Sequence, residues 1–292
     1  MSTSSVFARM GICLAPLAFL LCGCSSAPDA WTVVATAHFG GPTLAVMFRD
    51  ASFGIATDLD GGIHYSEDGG QTWTYAATSG LSRVALEMEG GRIWHVGFGG
   101  WLSRSGDDGH TWEGIGPLPH SGHLEYISFA DENAGWAVST ERTDIFITSD
   151  GGLTWESLPF PDGMGRPAAL HLRTPQDGYL LDTTGALFVT ADGGAAWTRL
   201  VLPCGEGWTL PPLNHSAALR FTDAAHGFVA LSLMGEGEGR VLGLRTSDGG
   251  RTWIDETLPV PLGMFHLTRD GLTLTHVDLL DHGRITILRS GE

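Results

Sequence analysis

An octapeptide of the form Ser/Thr-x-Asp-x-Gly-x-Thr-Trp recurs five times along the chain, and no other feature restricts its fold as strongly. The copies span residues 66–73, 105–112, 148–155, 190–197 and 246–253. They recur at roughly forty-residue intervals, with a longer last one, which marks one repeated supersecondary unit. Each copy has the chemistry of a tight hairpin turn. The carboxylates of Asp68, Asp107, Asp150, Asp192 and Asp248 suit the turn N–H groups and the Ser/Thr hydroxyl, and the glycines supply positive φ. Trp73, Trp112, Trp155, Trp197 and Trp253 open the next strand and are expected to pack between neighbouring units. One such turn is a weak signal, whereas five in register require a repeat architecture.

Upstream of four copies lies a second element: an apolar anchor, a polar turn, then glycine and an aromatic or apolar residue. It occupies 48–55, 129–136, 172–179 and 221–228, with Asp50, Asp131 and Asp223 in three of the turns. Each unit therefore reads as four short antiparallel strands, for example 124–129, 135–139, 144–149 and 154–158. No stretch has sustained helical periodicity. Four-stranded meanders repeated radially predict an all-β fold, a single β-propeller. Three strands follow Trp253, near 264–268, 272–277 and 284–288, and the tail Arg289-Ser290-Gly291-Glu292 resembles a turn cut off before its tryptophan. Ala30-Trp31-Thr32-Val33-Val34 reads as the missing fourth strand, so the count is six blades closed by the N-terminal strand, with seven as the alternative. The long last interval is assigned to insertions at 202–213 and 234–240, rich in Gly, Glu and Pro and read as loops.

Residues 1–23 carry one charge, Arg9, and an apolar run, as a secretory signal does. The run ends in Leu21-Cys22-Gly23-Cys24-Ser25, which resembles the bacterial lipobox. That resemblance implies cleavage after Gly23, lipidation of Cys24, a tether over 24–29 and a propeller over 30–292. It implies export to the cell envelope, with Ser25 pointing to the outer membrane where there is one. Cys204 is then the one remaining thiol, so a packed core rather than disulfides must supply stability. Glycine reaches 42 residues, in keeping with many tight turns, and all 16 basic residues are arginine in a chain of net charge −17. Such a surface does not recruit nucleic acid non-specifically, and a chain without lysine has no amine nucleophile.

Together the turn octapeptides and the Phe-x-Asp-x-x-x-Gly-Trp element resemble the Asp-box, or bacterial neuraminidase repeat, superfamily, most of all the photosystem II stability and assembly factor group. The resemblance covers nearly the whole chain after the signal. It implies a propeller that binds a protein partner without catalysis. The usual member of that group has seven blades and an arginine patch that does not map onto this sequence.

Sialidases share the repeat, but Phe48-Arg49 is followed by Asp50 as in a blade turn, and Tyr65, Tyr75, Tyr126 and Tyr179 have no acidic partner placed by spacing. A carbohydrate-active hydrolase using the central channel remains the alternative, and it would need two carboxylates across a cleft. His120 and His123 are three apart but lack a third ligand or a metal-binding motif, so no metal, cofactor or catalytic residue is assigned. Aligning the innermost strands places Met47, Glu87, Ser128, His171, Arg220 and His266 just before the apolar anchors, where five of six are polar. Six residues upstream of the anchors come Pro42, Ser82, His123, Arg166, His215 and Pro261, with Arg83 beside Ser82. These positions describe either a hydrated channel or a polar binding mouth made by Arg83, His123, Arg166, His215, Arg220 and His266.

Overall fold

The structure is a computed structural model and describes residues 31–39, 43–58, 60–78, 85–89, 91–97, 100–118, 124–139, 143–211, 215–235, 237–268, 270–278, 280–281 and 283–291. Its strands form six four-stranded antiparallel sheets, the blades of one propeller. After β1 (Thr32–His38), blade 1 holds β2 (Thr43–Phe48), β3 (Gly54–Asp58), β4 (Gly62–Ser66) and β5 (Thr74–Thr78). Blade 2 holds β6 (Ala85–Glu89), β7 (Arg92–Val96), β8 (Trp101–Ser105) and β9 (Glu113–Pro117). Blade 3 holds β10 (Leu124–Phe129), β11 (Gly135–Ser139), β12 (Asp144–Thr148) and β13 (Glu156–Pro159). Blade 4 holds β14 (Pro167–Leu172), β15 (Gly178–Asp182), β16 (Ala186–Thr190) and β17 (Thr198–Val201). Blade 5 holds β18 (Ala217–Phe221), β19 (Gly227–Gly235), β20 (Glu238–Thr246) and β21 (Ile254–Glu256). Blade 6 holds β22 (Gly263–Leu267), β23 (Thr273–Asp278) and β24 (Arg284–Arg289), and its outer strand is β1. The six-blade count and the N-terminal closure both hold: β1 runs antiparallel to β24, with Thr36 opposite Thr286. Trp31 anchors the closing strand, its indole N–H donating to Glu256 Oε2 at 2.8 Å and its ring 4.9 Å from Phe228 of blade 5.

The octapeptide turns are built by their aspartates. In the first, Asp68 Oδ1 accepts from Ser66 Oγ and Thr72 N, each at 2.9 Å, and Oδ2 accepts from Thr72 Oγ1 at 2.6 Å. Asp107, Asp150 and Asp248 make the same set. The threonine hydroxyl first, then the backbone amide, holds each of these four carboxyls down to about 2. In the fourth turn Ala196 replaces the threonine, and Asp192 is lowered chiefly by the Ala196 N–H. The tryptophans are half-buried and, as expected, pack between units while capping their own turn: Trp73 packs against the cluster of Val277, Ile285 and Ile287 of blade 6, Trp112 against that of Ile55 and Tyr65 of blade 1, and Trp197 lies 5.9 Å from Trp136 of blade 3. Trp73, Trp155, Trp197 and Trp253 donate to the carbonyl of the second turn glycine at 2.9–3.1 Å. Other rings also stack between blades: Trp94 lies 3.9 Å from Phe129 and Tyr179 lies 4.1 Å from Phe221.

The upstream element is an Asx turn, with Asp50, Asp131 and Asp223 accepting from the two N–H groups that follow. A direct bond joins it to the octapeptide. Gly69 N donates to Ser52 O at 2.8 Å, and Gly151, Gly193 and Gly249 donate likewise to Asn133, Gln176 and Ala225. Blade 2 has the β6–β7 hairpin instead, with Glu89 opposite Arg92. Asp108 there takes the positive φ of 56° that glycine takes elsewhere, and its carboxylate pairs with Arg49 of blade 1. The glycine that ends the element is dictated by packing. A Cβ on Gly135 would stand 2.4 Å from the Phe129 ring, and one on Gly54 2.6 Å from Phe48.

The two insertions differ from the loops expected. Residues 234–240 largely extend β19 and β20 into nine-residue strands, and 202–211 dock on that hairpin through a Thr209–Met234 bridge, burying Leu202, Cys204 and Leu210. Arg240 fastens the two, 4.6 Å over the Trp208 ring and donating to Cys204 O.

Gly135→Ala is expected to lower stability by about 2 kcal/mol, because the Phe129 ring must leave its place. Gly106→Ala, where a Cβ meets nothing within 4 Å, is the control expected to be neutral in urea unfolding. Burial holds His95 down to about 4, so the fold carries fewer protons there than the unfolded chain. Its contribution is whole above the unfolded value near 6.5 and is lost as pH falls toward 4, on the order of 3 kcal/mol across that window. Melting temperature is therefore expected to fall from about pH 6.5 downward, and less steeply in His95→Gln.

Candidate functional site

The innermost strands of all six blades face the central channel, and their pre-anchor side chains close it. Glu87, Ser128, His171, Arg220 and His266 are each 7% exposed or less, with Met47 apolar beside them. A lone buried guanidinium would be unfavourable, so its partners define the site. Arg220 Nη1 donates to His171 Nδ1 at 3.1 Å and Nη2 to Leu267 O at 3.2 Å. Because arginine only donates, His171 must carry its proton on Nε2, which donates to Phe221 O at 3.0 Å. Burial first, then the Arg220 charge, holds His171 neutral, well below the ordinary histidine value. Glu87 Oε1 lies 3.8 Å from Arg220 Nη1 and accepts from Ser128 Oγ at 3.4 Å, and Ser128 Oγ accepts from Leu172 N at 3.0 Å. One guanidinium thus ties blade 5 to blades 2, 4 and 6.

Arg220, Met47 and Leu267 line two small cavities, an upper and a lower, and Arg220 also lines a third, of about 40 Å³, with Glu89, His171 and Arg173. The upper, about 60 Å³, is walled by Glu87, Tyr126, Ser128, His215 and His266. The lower, about 90 Å³, is walled by Arg49, Glu89, Arg92 and Asp108. Its arginines are paired across blades, Arg49 with Asp108 and Arg92 with Glu132 at 2.9 Å. In the upper cavity His215 adopts φ 60°, a strained conformation for a residue with a side chain. Its amide donates to the Tyr126 hydroxyl at 3.4 Å and its carbonyl accepts from Phe265 N at 2.9 Å. The His215 and His266 rings stand 4.8 Å apart, and burial, then the His215 charge, keeps His266 well below its ordinary value.

Of the expected mouth, His215, Arg220 and His266 come together at this cavity. Arg166 does not: it is exposed where the chain enters β14, its carbonyl accepting from Thr183 N. Arg83, His123 and the lipidation candidate Cys24 lie outside the described residues. Glu87, Ser128, His171 and Tyr126 belong to the site although they were not chosen for it. The first three share the pre-anchor position with Arg220, and that position was the signal available.

No protein-family model matches the chain, and no curated protein matches it. Solved propellers do. The structure described as YCF48 bound to D1 peptide is similar at a TM-score of 0.54 and 17% identity, covering 92% of this chain and 96% of that one. YCF48 from Cyanidioschyzon merolae is similar at 0.54 and 16%, covering 89% and 99%. A streptogramin B lyase is similar at 0.58 and 11%, covering 89% and 98%. At these identities the likeness shows the fold, a β-propeller.

Arg220→Met is expected to destabilise the ring by about 3–5 kcal/mol, because Glu87 is left buried without its cation. Adding Glu87→Gln should recover part of that loss, and urea unfolding of the two single variants and the double variant reads the coupling at about 1–3 kcal/mol.

Proposed function

We propose that this chain is an Asp-box propeller, exported and anchored at the cell envelope through Cys24, that binds a protein partner at its channel mouth without catalysing a reaction. The mouth comprises His215, Arg220 and His266 at the cavity, with Arg83, His123 and the exposed Arg166 assigned to the face around it, and a role in assembling or stabilising an envelope complex follows from a scaffold so placed. The observation that carries this reading is the filling of the channel around Arg220. It leaves an upper cavity of about 60 Å³, far below the roughly 300–1,000 Å³ of small-molecule sites, so recognition falls to the surrounding face. The structure described as YCF48 bound to D1 peptide supports a peptide-binding use of the fold in that protein.

A hydrolase in the channel is the weaker reading. Glycoside hydrolysis calls on two carboxylates about 5–10 Å apart; among the described residues Glu87 is the one carboxylate lining the upper cavity, and of Glu89 and Asp108 in the lower one Asp108 is paired with Arg49. The box aspartates are occupied by their own turns. The resemblance to lyase propellers is one of fold.

The test uses the full chain expressed in a bacterium. Cys24→Ser is expected to move the protein from the membrane fraction to the soluble fraction. Crosslinking and capture of the lipidated protein should enrich a partner that an Arg166→Ala, His215→Gly variant of unchanged melting temperature loses by about tenfold or more. Equal enrichment with both proteins would refute the mouth, and a Cys24→Ser protein still bound to membrane would refute the anchor.

A further inference from the structure

The fourth octapeptide departs from the other four, and a groove opens where it does. Its turn reads Ala195-Ala196 where the others carry Gln71-Thr72, His110-Thr111, Leu153-Thr154 and Arg251-Thr252. Both alanines are exposed and line a cavity of about 340 Å³ between blades 3 and 4, inside the roughly 300–1,000 Å³ of ligand sites, which the channel cavities are not. Phe160, Phe188 and Trp197 give the groove aromatic walls, with Pro159 and Pro161 beside them. These walls are set in advance. Phe160 N donates to Thr143 O at 2.8 Å, Met164 N to Pro161 O at 3.1 Å and Trp197 Nε1 to Gly194 O at 3.1 Å, while Phe188 is buried. Two of the lining residues are charged, Asp162 and Arg199. Both are exposed, and neither side chain makes a hydrogen bond or ion pair among the described residues. Without a threonine at position 196, Asp192 also lacks the hydroxyl that the other four aspartates accept through Oδ2.

We propose that this groove binds an extended, proline-containing peptide segment carrying an arginine or lysine, its proline rings lying on the aromatic wall and its cation meeting Asp162. The site is separate from the channel and rests neither on the reading of the mouth nor on the anchor. Charge, hydrogen bonding and shape select this occupant. Asp162, with Asp192 next to Ala196, outnumbers Arg199 in a chain of net charge −17, so a basic segment is attracted and an acidic one repelled. Arg199 can only donate, so the occupant must also offer acceptors. The carbonyls of an extended peptide supply them, and a free amine does not. Pro159 and Pro161 have no N–H to give to an added strand, so backbone pairing along that wall is closed and the segment must be held through its side chains. A polyproline II segment meets all three conditions. Its carbonyls are unpaired, its rings suit an aromatic groove, and its shape is fixed before binding, which keeps the ordering cost low.

Titrating the full chain by calorimetry with the peptide Pro-Pro-Arg-Pro-Pro, acetylated and amidated at its ends, tests this. Saturable binding is expected with a Kd below about 1 mM, weakening as salt is raised. Glutamate in place of the arginine, or glycine in place of the prolines, should each weaken it about tenfold or more. Ala195→Leu with Ala196→Thr gives the fourth turn the pair that blade 3 carries and fills the groove. Affinity should fall about tenfold or more while the melting temperature holds or rises, because the threonine restores a hydroxyl to Asp192. Asp162→Asn should reduce the preference for the arginine peptide over the glutamate one, and it decides the matter if the double variant does not fold. No binding at about 1 mM peptide, equal binding of the arginine and glutamate peptides, or undiminished binding by the filled double variant overturns the proposal. Free arginine amide bound as tightly as the peptide also overturns it, as a cation site only. Arg166→Ala, His215→Gly should bind the peptide unchanged, so failure here leaves the scaffold reading intact, and failure of partner capture leaves this one intact.

Discussion

Ring closure depends on how closely each octapeptide turn can lie on the blade before it. A Cβ on the second turn glycine would stand 2.8 Å from Ile55 at Gly109, 2.4 Å from Leu102 at Gly152 and 3.4 Å from Leu158 at Gly194. At Gly70 it would stand 1.9 Å from Ile287, and that contact joins blade 1 to blade 6. The aspartate matters because it fixes the turn that presents this glycine. With its oxygens committed to the N–H and hydroxyl two and four residues away, the turn keeps one shape in five blades whose other residues differ. The same commitment makes these carboxylates poor catalysts, because their protons are lost at low pH and their lone pairs are taken.

The repeat made the fold readable because it recurs at residues whose chemistry is local. An aspartate two residues after Ser or Thr needs no tertiary information to form its turn. Blade closure was readable for a related reason, since Trp31 precedes β1 as each box tryptophan precedes its outer strand. What stayed hidden was long-range. Residues 234–240 have the composition of a loop, yet Gly235 lies beneath the Trp208 ring and Gly239 against Leu262, so the glycines make room for neighbours within a hairpin. Nothing within the segment itself specifies those neighbours.

The candidate site divides along the same line. The position before each anchor lies inside a strand, where period-two alternation sets its direction, and alignment there brought Arg220 and His266 to the channel together with Glu87, Ser128 and His171. Six residues upstream the chain has left regular structure, and alternation no longer applies. His215 still turns inward, at the cost of a left-handed backbone, whereas Arg166 stays at the surface.

A chain whose basic residues are all arginine is suited to such a channel. Bridging His171, Leu267 and Glu87 needs a planar group with donors at fixed angles, which guanidinium supplies and an ammonium does not. Burial first, and the permanent charge of Arg220 second, hold His171 neutral, while Glu87 Oε1 stands 3.8 Å from the guanidinium.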